Sequence, residues 1–181
     1  MTSGKINFTL SYLWSEEKLL IKVNDVHDVK LSGEHSLVSP YVKIRTYRTP
    51  KHLFSFRDTN ESTVMPNLDR ELKTKMRRPA DVLTYKETFE IPTDAETLKN
   101  LTVCFLLCDM DKLSRHVTLG ETSVLLRKAK LLDAKEVTFS EDLREPSKVG
   151  IIQVIYVFMR SYIEKEESTY RNRLRRLIKL F

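Results

Sequence analysis

The stretch "LLCDMDKLSRHVTLGE", Leu106–Glu121, sets two carboxylates, Asp109 and Asp111, one residue apart behind an apolar run. A hard cation such as calcium needs roughly six to eight oxygen ligands, and paired loop aspartates are a usual part of that set. Aspartates in loops also bond the nearby backbone, and here Lys112 and Arg115 stand close enough in sequence to balance their charge. A second group of residues offers a different chemistry. In "YVKIRTY" (Tyr41–Tyr47) and "ELKTKMR" (Glu71–Arg77), the cations Lys43, Arg45, Lys73, Lys75 and Arg77 recur with a period of two. On neighbouring strands ~4.8 Å apart, two such rows form one basic plate. Convergent cations of that kind suit a multiply charged phosphate, with arginine adding bidentate geometry.

The elements that must carry these residues are strands. "KINFTLSY" (Lys5–Tyr12) puts Ile6, Phe8, Leu10 and Tyr12 on one face and polar residues on the other, the pattern of a half-buried strand. "KLLIKVNDV" (Lys18–Val26), "YKETFEI" (Tyr85–Ile91), "LTVCFLLC" (Leu101–Cys108), "LGETSVLL" (Leu119–Leu126) and "KEVTFSEDL" (Lys135–Leu143) complete a set of eight. Short strands separated by turn-like segments predict an all-β chain, an eight-stranded antiparallel β-sandwich of Greek-key type. Arg48–Asn67 is polar, proline-marked and too long for an ordinary hairpin, and is expected to be a loop insertion. At the C-terminal end, "EKEESTYRNRLRRLIKLF" (Glu164–Phe181) changes to helical spacing. Leu174, Leu177, Ile178 and Phe181 share one face there, with Arg173, Arg175, Arg176 and Lys179 elsewhere, which predicts a basic amphipathic helix.

Composition narrows the function. The 181 residues are 41% hydrophobic and 31% charged with a formal charge of +6, and the mean hydropathy is −0.35. These values fit a soluble domain with an anionic partner. His27, His35, His52 and His116 show no metal-ligand spacing, and no serine elbow or glycine-rich phosphate loop occurs among only four glycines. An enzyme is therefore not expected. Nucleic-acid binding lacks a helix-turn-helix or a stacking-aromatic signature. Cys104 and Cys108 lie on one strand, with backbones ~13 Å apart at ~3.4 Å rise per residue, so two reduced thiols are expected rather than a disulfide. "MTSGKINFTL" is no secretion leader, and "GIIQVIYVFM" (Gly150–Met159) falls short of the ~20 residues that span a bilayer. The expected location is cytoplasmic and peripheral to membranes.

Several strands also carry recognisable wording. "GKINFTLSY" with "EEKLLIKVNDVHDV", then "SPYVKIR", "KTKMRR", "YKETFEI" and "CDMDKLSRHVTLGE" follow one another in the order of a C2 domain of the synaptotagmin type, which this sequence resembles over residues 4–145. The resemblance implies calcium-binding loops at one end and a lysine-rich groove for phosphoinositides on one sheet face. It also implies docking on anionic phospholipid, commonly in vesicle trafficking. Residues 146–181 would then be an addition, with "VGIIQVIYVF" (Val149–Phe158) before the helical tail either as the re-used first strand of a second C2 domain, in a truncated relative of tandem proteins, or as an extra edge or interface strand.

Carried over by position, the family's five calcium-ligating aspartates are depleted. First-loop positions fall on Gly33 and Ser39, and the last third-loop position falls on Val117. Asp109 and Asp111 remain as a vestigial metal site, with Glu34 and Asp28 not placed as ligands. No cofactor is expected. Tyr41, Lys43, Arg45, Lys73, Lys75 and Arg77 fit the lipid groove, so the expected function is calcium-independent binding of an anionic, phosphoinositide-bearing membrane. Arg173, Leu174, Arg176, Leu177, Ile178 and Phe181 are expected to make a second contact, with a membrane or a partner groove, the alternative being that the apolar stripe packs on the sandwich itself. The alternatives are an adaptor that grips trafficking proteins with incidental lipid binding, or a residual calcium-dependent phospholipid binder.

Overall fold

The computed structural model describes residues 2–31, 36–48, 67–127, 129, 131 and 136–146. They form β1 (Thr2–Leu13), β2 (Lys18–His27), β3 (Pro40–Arg48), β4 (Asn67–Lys73) and β5 (Val82–Pro92). A single-turn helix α1 (Ala95–Leu98) follows, then β6 (Leu101–Met110), β7 (His116–Leu125) and β8 (Val137–Arg144). All pairings are antiparallel, in the order β4-β3-β6-β7-β8-β1-β2-β5. Among the described residues the ladder between β7 and β8 has the single pair Glu121↔Arg144. The ribbon folds there into two four-stranded layers, the expected eight-stranded antiparallel sandwich.

The core lies between the layers. Ile6, Phe8 and Leu10 of β1 and Leu19 and Ile21 of β2 face Val42 and Ile44 of β3 and Val103, Phe105 and Leu107 of β6. Phe8 spans the gap: its ring stacks on Phe105 of the opposite layer at 4.1 Å and on Phe139 of its own layer at 5.1 Å. At the fold between layers the chain must approach closely. A Cβ on Gly120 would meet the Cβ atoms of Leu143 and Ser3 at 3.0 Å each, so the smallest residue stands where β7 passes β8 and β1.

Three departures from the sequence reading bear on the site. β4 ends at Lys73 rather than Arg77. β6 continues to Met110, so Asp109 belongs to the strand and not to the loop after it. β7 begins at His116, three residues before Leu119. Helix α1 was not expected. Asp94 caps it, accepting from Thr97 N at 2.8 Å and from Thr97 Oγ1 at 2.7 Å. The expected tail helix, the extra strand at 149–158 and residues 49–66 of the insertion lie outside the described residues. Among the described residues no helix is long and apolar enough to cross a membrane.

Phe8→Ala removes the ring that joins the two layers. The expected loss of unfolding free energy is about 3–5 kcal/mol, measured by urea titration; a loss under 1 kcal/mol would show that the stack is incidental.

Candidate functional site

The pleat of β3 sorts its side chains. Val42 and Ile44 enter the core, so Tyr41, Lys43, Arg45 and Tyr47 turn to the outer face of their layer. The register with β4 places Lys43 opposite Lys73 and Arg45 opposite Glu71. Glu71 thereby sits inside the basic plate. Its carboxylate accepts from Arg45 Nε at 2.6 Å and pairs with Lys43 Nζ at 3.4 Å. Burial would raise the Glu71 carboxyl, but the bonds from Arg45 and Lys43 outweigh it and hold the group below its ordinary value. Lys73 and Lys75 are exposed, and no ion pair of either is found among the described residues. Lys43, Arg45, Lys73 and Lys75 against Glu71 leave a net of three positive charges.

Two of the six expected lipid contacts are used otherwise. Tyr41 is only 2% exposed, packed with Tyr47, Cys104, Leu106, Cys108 and Leu125 in a second apolar cluster. Its hydroxyl shares a 3.0 Å hydrogen bond with His116 Nδ1, and burial pushes its pKa up to about 12. It floors the face. Arg77 leaves the plate because regular pairing has ended. Its guanidinium donates to the Tyr85 carbonyl at 3.0 Å, pairs with Glu87 at 2.9 Å and lies over the Tyr85 ring. Glu87 also accepts from Lys75 N at 3.1 Å. Arg77 thus ties the end of β4 to β5, edge to edge across the sandwich. Cys104 and Cys108 are buried and unbridged, and burial drives the Cys104 thiol up to about 12.

At the loop end, strand parity points Asp109 inward beyond Leu107, and it is 0% exposed. Its carboxylate accepts from Ser39 N at 2.7 Å and from Val38 N at 3.1 Å, pinning the β2–β3 loop to the end of β6. Asp111 serves its own loop. Oδ1 accepts from Leu113 N at 2.8 Å and Arg115 N at 2.9 Å, and Oδ2 accepts from Arg115 Nε at 2.8 Å and pairs with its Nη2 at 2.8 Å. Backbone donation from Arg115, beside the bonds from its side chain and from Leu113 N, outweighs desolvation and holds the Asp111 carboxyl below 3.8.

Of the other positions weighed, Val117 is an apolar partner of Asp109 across the ladder. Asp28 pairs with His27 at 3.0 Å. Gly33 and Glu34 lie outside the described residues. Among the described residues no three His, Cys, Asp or Glu side chains converge as a metal site, and the oxygens of Asp109 and Asp111 already face N–H groups.

No family model matches the chain. Human synaptotagmin-10 is 27% identical over 118 residues, 65% of this chain and 19% of the relative. Synaptotagmin-C of Diplobatis ommata is 26% identical over 118 residues, with the same coverage. The chain thus spans about a fifth of the length of these relatives. A solved C2 domain of RIM2 superposes with a TM-score of 0.57 at 19% identity, over 80% of this chain and 99% of that one. The first C2 domain of human synaptotagmin XIII gives 0.53 at 17%, over 82% and 94%. The chain has the fold of a C2 domain and is similar in sequence to synaptotagmins.

In this C2 domain the sequence reading overlooked Glu71 as a member of the plate, although the quoted alternation contains it. It also passed over the apolar residues of the loops. Met76 of the β4–β5 connection, Val82 at the start of β5, and Leu113 and Val117 around the β6–β7 loop are exposed, and Lys75, Arg78, Lys112 and Arg115 stand among them. Single apolar residues between cations, as in "KMRR" and "DKLSR", were the available signal.

Asp109→Ala strands the N–H groups of Val38 and Ser39 beside a cavity. An unsatisfied buried donor costs about 1–3 kcal/mol, so a loss of at least that size is expected on denaturant unfolding. For Asp111, a depressed pKa means stability that is present above 3.8 and lost as pH falls through the lower native value. The melting advantage of the wild type over Asp111→Asn is expected to hold at pH 5–7 and to shrink below pH 3.8. An advantage that does not change with acidification would refute the assignment.

Proposed function

We propose that this C2 domain is a binding module, not a catalyst, that captures anionic, phosphoinositide-bearing membranes without calcium, in vesicle trafficking at the cytoplasmic face. The observation that carries this reading is the register that sets Lys43 beside Lys73 with Lys75 exposed next to them. The commitment of the Asp109 and Asp111 oxygens to N–H groups supports its independence from calcium.

Magnitudes decide what the face can do. Each basic residue at an anionic surface contributes ~1 kcal/mol, so a net of three charges gives about 3 kcal/mol, too little for lasting recruitment. Burying a side chain such as Leu113 in the acyl region adds roughly 1.5–3 kcal/mol. The face and the loop rim together reach the range of reversible capture. Arg173, Leu174, Arg176, Leu177, Ile178 and Phe181 of the tail are a further contact in the same proposal. Exposed Leu68 on the edge strand β4 favours one second reading, an adaptor whose protein partner pairs along that edge.

Lys73→Ala with Lys75→Ala is expected to lower affinity for phosphoinositide liposomes about 30-fold, at ~1 kcal/mol per lysine. Glu71→Gln, which releases Lys43 and Arg45, is expected to raise it. Chelator should change neither. Retention of the double variant on liposomes at moderate salt, or vesicle capture lost in chelator, overturns the proposal.

A further inference from the structure

We infer that the guanidinium of Arg115 takes the place of a divalent cation in the β6–β7 loop: it neutralises Asp111 and locks the loop in the form that presents Leu113 to a bilayer. The inference rests on the calcium-independent reading above and explains how a C2 loop keeps its shape with no metal to gather it.

The geometry is that of a small cage. Asp111 N donates to the Arg115 carbonyl at 3.0 Å and Ser114 N donates to the Asp111 carbonyl at 2.9 Å, closing the loop on itself. Inside that ring Asp111 Oδ1 takes the N–H groups of Leu113 and Arg115, and Oδ2 takes two nitrogens of the Arg115 side chain. The Asp111 side chain is 15% exposed and that of Arg115 71%. The guanidinium therefore covers the carboxylate from the solvent side, where an arriving cation would have to enter.

An exposed ion pair adds little stability by itself. Its effect here is geometric. Ser114 is held at φ +60°, a left-handed conformation that a residue with a Cβ enters reluctantly. With the loop so turned, Leu113 stands 72% exposed between Lys112 and Ser114. An apolar tip among cations matches a bilayer with anionic headgroups. The tether also makes the counter-ion permanent, since a cation on the same loop cannot be diluted or chelated away.

The test uses the full chain as wild type, Arg115→Gln, Arg115→Lys, Leu113→Ala and the Arg115→Gln/Leu113→Ala double variant. Hydrogen exchange of the Leu113 and Arg115 amides reads the lock without any lipid. The wild type is expected to show equal protection in chelator and in calcium. Arg115→Gln should exchange at least tenfold faster and Arg115→Lys should recover part of the protection. Affinity for liposomes of phosphatidylcholine, phosphatidylserine and phosphoinositide reads the consequence. Arg115→Gln and Leu113→Ala should each weaken binding, and the double variant no more than the worse single one, because the two act as one device. Unchanged exchange in Arg115→Gln, protection that appears only with calcium, or losses that add in the double variant each overturn the inference. Failure of the basic face shows itself separately, as liposome binding indifferent to Lys73 and Lys75 while the loop amides behave as expected.

Discussion

Val42 and Ile44 must enter the core, and the pleat of an antiparallel strand then leaves Lys43 and Arg45 no choice of side. The same constraint acts on β6. Val103, Phe105 and Leu107 face inward, so Asp109, two residues further, does too. One periodicity therefore places a carboxylate under the loop end and a row of cations on the outer face. A shift of one residue in either strand would bury the cations and expose the core. Phe8, stacked on Phe105, reinforces that choice from the opposite layer.

Parity can be read along one strand, and it was legible here: the eight strands, the inward set and the outward Lys43 and Arg45 of β3 follow from it. Register between strands cannot be read that way. β3 and β4 are separated by a long polar segment, so nothing local states that Arg45 faces Glu71 rather than another lysine. The plate was accordingly expected to be purely basic, and Glu71 in its middle is a product of tertiary pairing. The end of β4 was hidden for a related reason. Alternation continues through Lys75 and Arg77, but Lys75 N bonds the Glu87 carboxylate instead of a ladder partner. The attraction between Arg77 and Glu87 then turns that guanidinium towards β5.

The loop carboxylates present the reverse case. Their types and spacing were plain, and two chemistries were open to them. Counting charged positions could show depletion, but only geometry shows where the remaining lone pairs are spent. Asp109, being inside, must find donors or raise its energy sharply, and the nearest donors are the N–H groups of Val38 and Ser39. That choice fastens one loop to the base of the next. Asp111, nearer solvent, takes its donors from its own turn and from Arg115.

These two uses of acid and base complement each other. The outer face has cations diluted by one carboxylate, and the loop end has carboxylates satisfied by N–H groups and one cation, so neither region holds a strong charge alone. What joins them is continuity of the chain: Lys73 ends β4, Lys75 follows at once, and Met76 and Arg78 lead on through the connection to β5. A surface that meets Lys73 therefore lies within a few residues of an exposed apolar side chain. Two weak contacts on one rigid body act at high effective concentration towards each other, so their free energies combine without a second loss of translational freedom. On the proposed reading, modest charge on the face is then enough, provided that the loop already has its docking shape when the surface arrives.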